Sequence, residues 1–160
     1  MIAIDPGSTG GIAYDDIDRD VVVIKMPDTY PEIFDALKGI IDLHPTNDRC
    51  VIEDVGTYMP GNSGPAAVTF ARHCGHLDVA LYALGIKREL VRPMKWQKTL
   101  SLAEQPKKKG LDKKILARLK QERKNEIKEK MQARFPKLKV TLATADALAL
   151  YCYGRNTIAC

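Results

Sequence analysis

The chain has 160 residues, enough for one domain with a real core, and its hydrophobic (45%) and charged (28%) fractions are those of an ordinary soluble protein. No apolar run nears the ~20 residues of a membrane span and no signal-peptide core opens the chain, so a membrane partner is excluded and a cytoplasmic setting (a bacterial cell, or one infected by a phage or virus) is expected. The net charge of +5 is concentrated between Lys107 and Arg134, where twelve Lys and Arg face four acids. The remainder is slightly acidic. One basic arm on such a body suits a polyanion partner, although a solvated helix face has the same composition.

Ile2-Ala3-Ile4 reads as a short buried strand ending on Asp5. Pro6, Gly7, Gly10 and Gly11 then make a turn, and Ile12-Ala13-Tyr14 begins a second strand. A carboxylate at the tip of a buried strand belongs either to an ordinary Asp-Pro-Gly turn or to a cation site, since an unpaired buried charge costs several kcal/mol. Val21 to Ile24 is a third strand. Pro31 opens a helix in which Ile33, Leu37, Ile40, Ile41 and His44 recur at three and four, and Pro45, Asn47 and Asp48 stop it. Cys50-Val51-Ile52 is another buried strand, and it too ends on an acid, Glu53.

Gly56 to Pro65 is a loop that holds two large apolar side chains, Tyr58 and Met59. Pro65 to Leu84 reads as a long helix with Ala67, Phe70, Ala71, Cys74, Leu77, Leu81 and Leu84 on one face, closed by Gly85. Arg88 to Val91 is a fifth strand, and Met94 to Lys98 a helical turn carrying Trp96, read as a core anchor. A basic helical insertion follows at about 106–124, with Lys107, Lys108 and Lys109 at its start and Leu111 to Arg123 as its helix. A separate helix is expected from about Asn125 to Phe135, ended by Pro136. Lys139-Val140-Thr141 is extended, and Thr144 stands where it can cap a last helix whose first turn holds Asp146.

This order of elements predicts a single α/β domain, a sheet with helices on its faces. Cys50, Cys74, Cys152 and Cys160 lack metal spacing and read as free thiols. His73 and His76 share a helical face, but Cys74 points elsewhere and no fourth ligand is near, so no zinc site is expected. Three acids remain: Asp5 and Glu53 at strand ends and Asp146 at a helix start. Singly, each could be a cap or a solvated turn. Together beyond the strand ends of an α/β sheet they would raise one another's pKa unless a cation compensates. Oxygen-only ligands suit Mg²⁺ or Mn²⁺, and two such ions ~3.5–4 Å apart can promote phosphodiester cleavage.

Ile4-Asp5-Pro6-Gly7-Ser8-Thr9-Gly10-Gly11-Ile12-Ala13, Val51-Ile52-Glu53-Asp54-Val55 and Ala145-Asp146-Ala147-Leu148-Ala149 together resemble the RuvC-type Holliday junction resolvases, compact phage and bacterial members of the RNase H-like nuclease superfamily. Phe70-Ala71-Arg72 to Leu84 looks like the family's long helix, and Val91 to Lys98 like its strand and DNA-facing turn. The resemblance implies an RNase H-like mixed five-stranded sheet in which the strands of Asp5 and Glu53 are neighbours. It implies Asp5, Glu53 and Asp146 as catalytic and metal-holding residues for two Mg²⁺ or Mn²⁺, and a homodimer making paired nicks in a four-way junction. It places Tyr58, with Met59, at the junction's centre, and Arg92, Lys95 and Lys98 on phosphates near the cut, with Lys107, Lys108 and Lys109 extending that surface.

One position departs from the pattern: the family's further acid or histidine, one turn before the last Asp, is Ala143 here. Asp54, Thr144 or a water could take its place, or the chain could bind without cutting. The alternatives are therefore an RNase H-like nuclease acting on other branched DNA or hybrids, and a non-cleaving DNA-binding protein. Asp5 to Thr9 also resembles the phosphate loop of sugar kinases and actin-like ATPases, which need two such domains and more chain than this.

Overall fold

Strands β1 (Ile2–Asp5), β2 (Gly11–Asp15), β3 (Val21–Lys25), β4 (Arg49–Glu53) and β5 (Lys87–Val91) form one mixed sheet of order β3-β2-β1-β4-β5 in the computed structural model, which describes residues 1–56, 64–106 and 110–155. β1, β2 and β3 form an antiparallel run, whereas β4 is parallel to both β1 and β5. The mixed five-stranded sheet expected from the sequence is thus present, with β1 and β4 adjacent.

Period-two alternation sends successive side chains to opposite faces, and both faces are covered. Ile2, Ile4, Ile12, Cys50 and Ile52 face α1 (Tyr30–Leu43) and α2 (Gly64–Ala83), meeting Ile33, Leu37, Ile40, Leu77 and Leu81. Ala3, Ala13, Val51 and Val91 face α5 (Ala145–Gly154), α4 (Lys113–Arg134) and the Trp96 ring of α3 (Pro93–Gln97). The small side chains of Ala3 and Ala13 let α5 lie close to the sheet. A Cβ on Gly154 would fall 2.8 Å from Val51 and 2.9 Å from Met1, so that approach needs glycine at its far end too.

α1 is set by a capping box that the sequence reading missed. Glu32 N–H donates to the Thr29 hydroxyl, and the Thr29 amide donates to the Glu32 carboxylate. The C-terminal end of α5 is fixed by buried Asp15, which accepts from the Tyr151 hydroxyl and pairs with Arg155 at 2.5 Å. No disulfide joins Cys50, Cys74 or Cys152.

Three local expectations are corrected. The helices expected on either side of Asn125 are one continuous α4. Asn lowers helix propensity by only a few tenths of a kcal/mol, and Leu119, Ile127 and Met131 make one buried stripe across that point. On α2 the core-facing residue is His73 rather than Cys74, which is only half-buried. Thr144 is the N-cap of α5 by position, but its hydroxyl accepts from the Thr141 amide at 2.9 Å and bonds no amide of α5.

Candidate active site

Asp5 and Glu53 are placed by sheet register. Ile4 pairs with Ile52 across the parallel β1–β4 ladder, so the next residues stand side by side at the C-terminal strand ends. Both lie two residues beyond side chains that face α5, Ala3 and Val51, and therefore point to that same face. Asp146 arrives from above, in the first turn of α5. Two glycines make the convergence possible. A Cβ at Gly11 would lie 2.8 Å from the carbonyl oxygens of both Ala143 and Ile24, so only glycine lets the segment entering α5 pass over β2. A Cβ at Gly10 would lie 2.0 Å from the Asp5 carbonyl oxygen, which no side chain could tolerate.

Asp5 and Glu53 are strongly perturbed, and the charge of Asp146 acts on both. Burial, then the charges of Asp146 and Glu53, push the Asp5 carboxyl up to about 8. Burial and the Asp146 charge push Glu53 up to about 7, against the opposing hydrogen bonds from Trp96 and Asp5. Burial also raises Asp146. Near neutral pH Asp5 thus keeps a proton and shares it with Glu53, as two adjacent buried carboxyls must when no cation separates them. Lys124, half-buried on α4, is a cation that all three acids feel, and it lowers each of them.

Trp96, fully buried as expected, also does something the sequence did not suggest. Its indole Nε1–H donates to Glu53 Oε1 at 3.0 Å, fixing that carboxylate from behind. Among the described residues no group of three or more His, Cys, Asp or Glu is drawn into a closed metal cluster, and the tight pairing is that of Asp5 with Glu53. The donor set is nevertheless oxygen-only, buried and short of positive charge, which fits a hard divalent cation.

Around the acids, Arg92 caps α3 with an exposed side chain 3.9 Å from Asp54. Lys95 projects over the Tyr153 ring at 5.7 Å, and Lys98 is exposed in the turn that follows. Of the candidates to replace the missing acid, Asp54 faces Arg92 and Thr144 is committed to Thr141, while Ala143 contributes a backbone carbonyl beside Gly11. Tyr58, Met59, Lys107, Lys108 and Lys109 lie outside the described residues. Lys124 and the Trp96–Glu53 bond are the features that sequence reasoning missed. The basic run signalled the first only as one cation among twelve.

The fold is that of RuvC. A Thermus thermophilus RuvC structure in complex with Holliday junction substrate matches with a TM-score of 0.53 and 17% identity, over 98% of this chain and 97% of that one. A second T. thermophilus RuvC structure matches with a TM-score of 0.50 and 17% identity, over 98% of both chains. No protein-family model matches the sequence, and no curated protein does.

Proposed function

We propose that the chain is a divalent-metal-dependent endonuclease that resolves four-way DNA junctions, with Asp5, Glu53 and Asp146 as its catalytic and metal-holding residues. The observation that carries this reading is the meeting of three proton-hungry carboxyls, two at adjacent strand ends and one in the first turn of α5, each lowered by the charge of Lys124 on α4. Three acids so placed destabilise the domain unless they hold something positive, and the fold they occupy is one seen with a junction in T. thermophilus.

Two Mg²⁺ or Mn²⁺ ions bound there would place positive charge against the phosphoryl oxygens and make water a stronger nucleophile. The protein's own part is to give up the proton shared by Asp5 and Glu53, so that both carboxylates are free to ligate. Trp96 holds one oxygen of Glu53 still and leaves the other for a ligand. Lys124 offsets the remaining negative charge and sits where a phosphate would approach. Arg92, Lys95 and Lys98 are assigned to phosphates near the cut, Lys107, Lys108 and Lys109 to further phosphates, and Tyr58 with Met59 to the bases at the junction's centre. Paired nicks need two copies. A homodimer is supported by exposed apolar side chains on α2 and the edge strand, namely Val79, Tyr82 and Leu90.

The lack of a carboxylate at Ala143 favours a second reading, a protein that binds junctions without cutting them. Cleavage of a synthetic four-way junction and of a linear duplex of the same sequence, in Mg²⁺, Mn²⁺ and EDTA, separates the two. Metal-dependent symmetric nicks on the junction alone, lost in Asp5→Asn, support the nuclease. Tight junction binding without nicks supports the second reading. Equal cutting of junction and duplex refutes junction selectivity.

A further inference from the structure

Ile127 and Met131 bury one side of α4 against the body of the domain. Toward the helix N-terminus that same side carries lysines. At about 100° per residue, Lys120 lies within about 20° of both Ile127 and Met131, and Lys113 comes about five whole turns before Met131, in phase with it. Both lysines are nevertheless exposed. A helix that shows its docking face to solvent there has run past the body it docks on. Lys124 marks the crossing, since its charge lowers all three acids. Measured along the axis from Lys124, Lys120 stands about 6 Å further out and Lys113 about 16 Å.

The projecting half is held in this rotation by the segment that precedes it. The Ala103 amide donates to Glu126 Oε1 at 2.6 Å, and the Ala103 carbonyl accepts from Arg123 Nη2 at 2.8 Å. Arg123 and Glu126 close that ring by pairing with each other at 2.9 Å. One turn further out, Gln105 Nε2 donates to the Leu119 carbonyl at 2.7 Å. Leu119, Arg123 and Glu126 lie about 60–120° around the helix from Lys120, so the strap leaves the lysine side open.

Charge is sorted around α4 in the same sense. Its three acids, Glu122, Glu126 and Glu129, all lie about 140–160° from Lys124, on the opposite side. Two of them are taken by Arg118 and Arg123. Lys113 and Lys120 pair with no acid among the described residues. A merely solvated helix intersperses the two signs at i,i+4 and gains from the pairs. This one keeps its acids off the overhanging side, leaving a line of cations that leads away from the carboxyls. Such a line suits a partner with regularly repeated negative charge, and each strand of duplex DNA offers one phosphate per ~3.4 Å of axis.

We propose that the projecting half of α4 is a rail for the duplex arm that enters the site, with Lys120 and Lys113 on phosphates about two and about five nucleotides from the scissile one. The proposal deepens the nuclease reading and takes from it only where the DNA lies. Because the rail engages an arm rather than the exchange point, it acts alike on a junction and on a linear duplex.

The test measures binding of a four-way junction and of a linear duplex in EDTA between about 50 and 200 mM salt. Wild type is compared with the double variant Lys113→Gln, Lys120→Gln, in which glutamine keeps the helix propensity of lysine. Arg49→Gln with Lys87→Gln, a pair at the strand starts and so at the opposite end of the sheet from the acids, removes the same charge as a control. Loss of two phosphate contacts should make the slope of log affinity against log salt shallower by about 1.8, so the wild-type advantage shrinks about tenfold over that range. The control pair should leave the slope unchanged. In parallel, uncharged methylphosphonate linkages replace the phosphates two and five nucleotides from the cut. They should weaken wild type and cost the Lys113, Lys120 variant nothing further. A slope that falls no more in that variant than in the control pair overturns the proposal, as does a methylphosphonate penalty that the variant retains in full. Wild type that binds both DNAs and cuts neither counts against the nuclease reading alone, and the slopes then decide for or against the rail. Wild type that binds neither DNA at the lowest salt overturns both.

Discussion

Asp5→Asn removes a carboxyl that folding makes costly, so the variant should lose activity and gain stability. Folding raises the Asp5 carboxyl from 3.8 to about 8 through burial and the charges of Asp146 and Glu53. Each pKa unit corresponds to ~1.4 kcal/mol, which sets a ceiling on the order of 6 kcal/mol; water entry and the shared proton should reduce this to roughly 2–3 kcal/mol. The pH dependence has a definite sign. Below about pH 4 folded and unfolded chains both carry the proton, so Asp5 costs nothing. Between about 4 and 8 the unfolded chain releases it and the folded chain retains it, so wild-type stability falls as pH rises. Above about 8 the difference is constant. Guanidinium unfolding in EDTA across pH 5 to 9 should therefore show Asp5→Asn pulling ahead of wild type, with the gap widest at the alkaline end. Saturating Mg²⁺ should stabilise wild type selectively and close or invert that gap. A gap in EDTA that does not widen between pH 5 and 9 would refute the claim that these acids are destabilised by mutual proximity and burial.

Other outcomes follow from neighbouring groups. Trp96→Phe keeps an aromatic core residue but deletes the 3.0 Å bond to Glu53; it should cost about 1–3 kcal/mol and weaken Mg²⁺ affinity, as read by denaturation and metal titration. Lys124→Met removes a cation felt by all three carboxyls. The acidic limb of the pH–rate profile should move to higher pH, and an unmoved limb would remove Lys124 from the site. Gly10→Ala places a Cβ against the Asp5 carbonyl oxygen; a loss of at least ~2 kcal/mol is expected in thermal unfolding, with metal affinity lost as β1 is displaced. Replacing Lys95 and Lys98 together by Ala should lower the slope of log junction affinity against log salt by about 0.9 for each phosphate that is no longer neutralised.

The sheet and its acids were legible because the relevant signals are local. Ile2 to Asp5 and Cys50 to Glu53 are apolar runs that each stop on a carboxylate, and parity then fixes which face those carboxylates share. Lys124 was not legible. Twelve cations lie between Lys107 and Arg134, and which of them turns inward depends on how α4 rotates when Ile127 and Met131 dock. The helix break expected at Asn125 failed because a weak local preference was set against a buried stripe running through it. On α2, Cys74 fits the apolar pattern better than His73. The structure buries the histidine instead, because the helix docks through its C-terminal half, where Leu77, Ala80 and Leu81 set the rotation.

The continuity of α4 constrains how this protein can change length over evolution. Lys124 is held in phase with Ile127 and Met131, three and seven residues further along one rigid helix. A single residue inserted between them would swing Lys124 by about 100° around the axis and carry its charge away from the acids. Insertions before Leu119 carry no such penalty, since the helix downstream keeps its docking and its phase. Length variation should therefore collect in the basic arm ahead of α4, and the stretch from Lys124 to Met131 should keep its spacing.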